Sequence, residues 1–125
     1  MELVDRKGSN LYLGVCRPDA DPRAAHHRRE GTTAWLMSAK FGGLCGNGKS
    51  RDDDEAGSFN NGDRMGFLLD LDDGSLRFFK NGVEHGPGYP AGSVTVPVAR
   101  AVQMWNIGTA VRLNPNAAWP AGHAA

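Results

Sequence analysis

Residues 62–86, GDRMGFLLDLDDGSLRFFKNGVEHG, decide the fold class. From Met65 onward, Met65, Phe67, Leu69 and Leu71 alternate with Gly66, Leu68 and Asp70. That period of two belongs to a strand with one apolar face. Asp72 to Ser75 then reads as a turn, with Asp73-Gly74 suited to the positive φ of a two-residue hairpin connection. The return strand runs from Leu76 to Lys80, with Leu76 and Phe78 on one face. Asn81-Gly82 repeats the turn chemistry, and Val83 to His85 opens a third short strand. The whole stretch is a β-meander.

Outward from it, the chain keeps the same character. Val94, Val96 and Val98 alternate, and Val102 and Met104 continue their parity. Pro97 lacks a backbone N–H, so it belongs at a strand start or edge. Asn106 to Gly108 reads as a turn, and Thr109, Val111 and Leu113 share a face of a last strand. Upstream, Leu11, Leu13 and Val15 line one strand, and Thr33 to Met37 forms another around Trp35. Asn47-Gly48 is a further turn. Two stretches read as long surface loops: Arg17 to Gly31, dense in charge and Pro, and Lys49 to Gly62, which carries Asp52, Asp53, Asp54 and Glu55. Pro22 to Glu30 is the best helical candidate, though it has no apolar stripe.

Composition agrees with this reading. The chain has 125 residues, the size of one domain. Its 17 glycines and 7 prolines mark a turn-rich chain, and turn-rich chains with short apolar runs are usually all-β. Its 14 basic and 14 acidic side chains cancel, which disfavours a nucleic-acid binder relying on phosphate neutralisation. No apolar run approaches the roughly 18 residues that span a bilayer, so no membrane role is expected. The start, MELVDRKGSN, has no apolar core of a signal peptide. Cys16 and Cys45 are the only cysteines, too few for a secreted disulfide scaffold. Both are expected as free thiols filling small gaps near strands, in a reducing, cytoplasmic setting.

Catalytic chemistry finds no purchase. The sequence has no G-x-S-x-G elbow, no H-E-x-x-H and no phosphate-cradling loop. Neither metal nor cofactor is implied. A calcium loop counted from Asp70 puts Gly74 fifth and Asn81 twelfth, where glycine sixth and glutamate twelfth are needed. His26 and His27 are adjacent, and the two cysteines lack zinc spacing. His26, His27, Arg28 and Arg29 form a basic cluster that reads as a solvated loop.

The blocks GVCRP, TAWLMSAK, LCGNGKS, GDRMGFLLDLDDGSLRFFKNGVEHG and VPVARAVQMWNIGTAVRLN, in this order, resemble the SPRY domain, the core of the B30.2 domain. The most specific part is Gly62-Asp63, then Asp70, a turn, and Phe78-Phe79-Lys80-Asn81-Gly82. The resemblance implies an all-β fold: a bent antiparallel β-sandwich with concanavalin A-like jelly-roll topology. It covers residues 1–114 as one SPRY domain, with 115–125 as a loose tail. Family members normally carry one or more strands before the segment resembling MELVD, so the first strands are expected to be missing and a sheet edge to be open.

Function follows as an expectation of the same resemblance: a non-enzymatic module that binds a protein, through a short linear peptide, on loops of a rigid sandwich. Such modules act as substrate-recognition parts of larger assemblies. Trp105 stands where some peptide-binding members carry a binding tryptophan. It is out of phase with Val98, Val102 and Met104, which turns it from the core row; the competing reading packs it against its own sheet. Arg17 and Pro18 open the loop at which related domains contact their peptide, and Asn106 adjoins Trp105. Trp35 matches a core position of the family. Two other functions stand beside this one: a lectin-like carbohydrate-binding domain, and a structural fragment of a larger protein.

Overall fold

A computed structural model describes residues 2–5, 11–20, 33–40, 42–46, 49–53, 56–104 and 110–112. Every regular element among them is a strand: β1 (Glu2–Asp5), β2 (Leu11–Cys16), β3 (Ala34–Ser38), β4 (Leu44–Gly46), β5 (Lys49–Asp53), β6 (Met65–Asp70), β7 (Ser75–Lys80), β8 (Val83–Glu84), β9 (Ala99–Met104) and β10 (Ala110–Arg112). All pairings are antiparallel. No helix among the described residues is long and apolar enough to cross a membrane.

Five strands form one sheet in the order β5-β4-β3-β2-β9. Opposite lies the three-stranded sheet β6-β7-β8. A third ladder, β1-β10, is tied to the start of β6: Leu3 N–H donates to the Asp63 carbonyl at 2.9 Å, and Gly62 N–H donates to the Leu3 carbonyl at 2.7 Å. The period-two pattern explains the layering. Leu11, Leu13 and Val15 of β2 and Trp35 and Met37 of β3 meet Met65, Leu76 and Phe78 in one buried cluster. Each such side chain contributes about 1.5–3 kcal/mol when taken from water.

Two polar atoms of buried aromatics cross between the layers. The Trp35 indole N–H donates to the Ser93 carbonyl at 3.1 Å. The Tyr89 hydroxyl lies 2.7 Å from the Cys45 carbonyl and 2.9 Å from that of Gly46, and Tyr89 itself bridges Leu76 of β7. Trp35 is thus a core residue, as the family resemblance implies. The all-β sandwich is the observed fold class.

Several local expectations need correction. The loop at Lys49–Gly62 begins with strand β5, paired to β4 through Leu44↔Asp53 and Gly46↔Lys49. An edge strand pairs on one side only, so a charged sequence suits it and hides its strand character. The β6–β7 connection is a four-residue loop, because Asp70↔Ser75 is the last pair. Leu71 therefore leaves the apolar row and is 64% exposed. Local side-chain bonds end the strand: Asp70 accepts from Asp72 N–H and Asp73 from Ser75 N–H, each at 2.9 Å. Residues 94–98 are not strand, yet Val94 is buried and Val96 and Val98 pack against the core.

The turn Asn81-Gly82 forms as its sequence predicts, with φ of 53° and 82° between the paired Lys80 and Val83. Cys16 and Cys45 are free, in β2 and β4. The helical candidate Pro22–Glu30, the turns at Asn47-Gly48 and Asn106–Gly108, and the tail lie outside the described residues.

Candidate peptide-binding loops

The first predicted site segment is a tight turn at the end of a central strand. Arg17 N–H donates to the Thr33 carbonyl at 2.8 Å, extending the β2–β3 ladder one rung past Cys16↔Ala34. The chain then reverses, with Ala20 N–H donating to the Arg17 carbonyl at 3.0 Å. Pro18 occupies the second position of this four-residue turn, where its fixed φ is already correct. Pro18 and Asp19 are exposed, while Arg17 and Ala20 are half-buried. A rigid strand therefore presents a pre-shaped, proline-capped turn to solvent.

The second predicted segment, Trp105 and Asn106, lies outside the described residues. The strand that leads to it is described. β9 pairs with β2 from Cys16↔Ala99 to Leu11↔Met104 without a bulge. The Arg17–Ala20 turn thus adjoins the Ala99 end of β9, and Met104, the residue before Trp105, ends the ladder at the other side. Six residue rows separate the two, about 20 Å of extended chain.

A second polar feature escaped the sequence reading. The Asp63 carboxylate accepts from the backbone N–H of Asn60 at 2.7 Å and from the Asn81 side-chain amide at 2.9 Å, with Lys80 Nζ at 3.7 Å. These bonds, the Asn60 one foremost, hold Asp63 below the usual carboxylate range. Asn81 also accepts from Arg64 N–H at 2.8 Å, so the start of β6 is locked to the β7–β8 turn. Beside it, His85 Nε2 lies 2.9 Å from the Gly57 carbonyl, its ring edge-on to Phe59 at 4.9 Å. Lys80 Nζ donates to the Ser58 carbonyl at 2.8 Å. This knot fixes the loop before β6 to the sheet.

Burial pushes the Cys16 thiol up, which keeps it protonated and a poor nucleophile. Cys45 is buried, with its Sγ 3.6 Å from the Gly43 carbonyl. Among the described residues no group of three His, Cys, Asp or Glu side chains is placed to hold a metal ion.

A family model, the SPRY domain, matches residues 2–110. The chain belongs to the SPRY-domain family, whose members are generally non-enzymatic protein-interaction modules. Searches of curated proteins and of solved structures returned no match.

Proposed function

We propose that this chain is a non-enzymatic interaction module that docks a short linear peptide of a partner protein. Arg17 and Pro18 form one contact and Trp105 with Asn106 the other. The observation that carries the reading is the Arg17–Ala20 turn: one backbone hydrogen bond, from Arg17 N–H to the Thr33 carbonyl, pins it to the central ladder and a second, from Ala20 N–H to the Arg17 carbonyl, closes it, while Pro18 is exposed to solvent. A turn already ordered loses little entropy on binding. Arg17 offers a guanidinium that can hydrogen-bond a carboxylate or amide of the peptide, and an indole supplies large, rigid contact area. The free thiols of Cys16 and Cys45 fit a reducing, cytoplasmic setting.

The test is selection of binding peptides from a random display library, followed by fluorescence anisotropy of the selected sequences. Trp105→Ala is expected to weaken binding about thirtyfold, the scale of a hot-spot tryptophan. Arg17→Ala is expected to weaken it about tenfold, as for a partly solvated charge contact. Unchanged affinity in both variants, with native circular dichroism, would put the site elsewhere.

A further inference from the structure

The two edges of the five-stranded sheet differ in kind. β5, at one edge, reads KSRDD, four charges in five residues. Charge of that density is the common protection of an exposed edge against unwanted pairing. β9, at the other, reads ARAVQM, with Arg100 its single charge. Among the described residues β9 is hydrogen-bonded on one side only, to β2. Its register is regular over all six residues, so the backbone groups of its outer side stand in even alternation. Ala99 and Arg100 are exposed and Ala101 and Val102 half-buried, whereas β3 is buried along its whole length.

The side chains say what fits there. Arg100 and Val102 lie opposite Val15 and Leu13, whose side chains line the core. Val98 and Val102, two residues either side of Arg100, both pack against that core while staying partly open. Ala99 and Ala101 alternate with them and leave the backbone approachable. Among the described residues no carboxylate pairs with Arg100.

We infer that β9 is a receiving edge: an extended segment of the partner protein pairs with it as a sixth strand, setting an acidic side chain beside Arg100 and apolar side chains two residues to either side. Backbone hydrogen bonds supply the affinity, and the apolar-acidic-apolar alternation supplies the choice of segment. Such a strand runs between the Arg17–Ala20 turn and the residue preceding Trp105, so this inference rests on the peptide-docking reading and gives its ligand a conformation and a charge.

The experiment uses two labelled, end-capped nonapeptides of alternating serine and valine, one with a central glutamate and one with a central lysine in place of the middle valine. Binding to the whole chain and to Arg100→Glu is followed by anisotropy, and the site by hydrogen exchange. The glutamate peptide is expected to bind the unaltered chain about fivefold tighter than the lysine peptide, the order reversing in R100E. Exchange at residues 99–104 slows with the preferred peptide. Equal affinities in both proteins, no binding of either peptide at millimolar concentration, or protection confined to other segments would overturn the inference. So would a dimer in sedimentation whose residues 99–104 are protected without peptide, because a second copy would then hold the edge. Loss of library-peptide binding in Trp105→Ala beside an unaffected R100E would discard the edge and keep the module.

Discussion

The Tyr89 hydroxyl lies 2.7 Å from the Cys45 carbonyl, so a residue bridged to β7 holds the end of β4 in the opposite sheet. Both partners are buried, and the Gly46 carbonyl at 2.9 Å shares the same proton. Removing the hydroxyl leaves two carbonyls facing an apolar ring edge. Tyr89→Phe is therefore expected to cost about 1–3 kcal/mol in urea-monitored unfolding, the cost of removing a buried hydroxyl donor from the Cys45 and Gly46 carbonyls. An unchanged midpoint would show that water or backbone relaxation serves those carbonyls equally well.

Two glycines in turns of the same meander separate conformation from contact. Gly74 and Gly82 share a left-handed φ, 78° and 82°. A Cβ on Gly74 would meet the Val94 carbonyl oxygen at 2.7 Å, and one on Gly82 would meet nothing within 4 Å. Gly82→Ala is expected to cost about 1 kcal/mol, the price of the backbone region alone. Gly74→Ala adds a clash with the strap at residues 92–94, which bonds to this loop through Val94 N–H and the Gly74 carbonyl at 2.9 Å. Its thermal midpoint should fall clearly further than that of Gly82→Ala, and equal shifts would deny the contact its role.

The same meander shows where sequence reading succeeds and stops. Alternation alone puts Met65, Phe67, Leu76 and Phe78 on the core side, because a strand's side-chain period is independent of its partner. Asn81-Gly82 was legible because few residue pairs accept two positive φ values. Leu71 was misplaced: alternation does not register the Asp70 and Asp73 side chains that capture backbone N–H groups and end the strand. β5 was missed because an edge strand needs no apolar face. Tyr12 and Leu36, both buried on the face away from the main core, were unreadable as such, since alternation marks one face and not what covers the other. Of the candidate site, the sequence reads Arg17 and Pro18 only as the opening of a long charged loop, because the bond that closes the Arg17–Ala20 turn is a backbone one that leaves no mark on residue type. The Asp63 knot is not legible either, because it joins residues about 18 positions apart whose meeting depends on the hairpin register.

The two thiols should differ in reactivity. Cys16 is half-buried and its thiol is pushed up by that burial, while Cys45 is sealed inside β4. With a disulfide reagent at pH 8, Cys16 of the folded chain is expected to attack slowly, several-fold below an open cysteine, and Cys45 only on the timescale of unfolding, each forming a mixed disulfide and releasing one reagent thiolate. In urea both react together. Rapid labelling of both in the folded state would contradict the buried placement of β4.

Asp63 gives the fold an acid limit that one substitution should move. Its carboxylate is stabilised in the charged form by Asn60 N–H first, then by the Asn81 amide and by Lys80, so its folded pKa lies below the unfolded value near 3.9. Above about pH 5 the group is ionised in both states, and its full contribution is present. As pH falls through about 4, the unfolded chain takes up the proton first, and the contribution declines until the folded carboxyl is protonated too. Asp63→Asn keeps an oxygen for Asn60 but loses the charge. It should be less stable than the unaltered chain at pH 7, by about 1 kcal/mol for a partly solvated charged hydrogen bond. The two unfolding curves should converge as pH drops toward 2. Some acid dependence persists in the variant, because Asp73, bonded to Ser75, is held low in the same direction. Parallel stability profiles for the two proteins from pH 7 to pH 2 would remove Asp63 from the acid response and leave the knot a neutral contact.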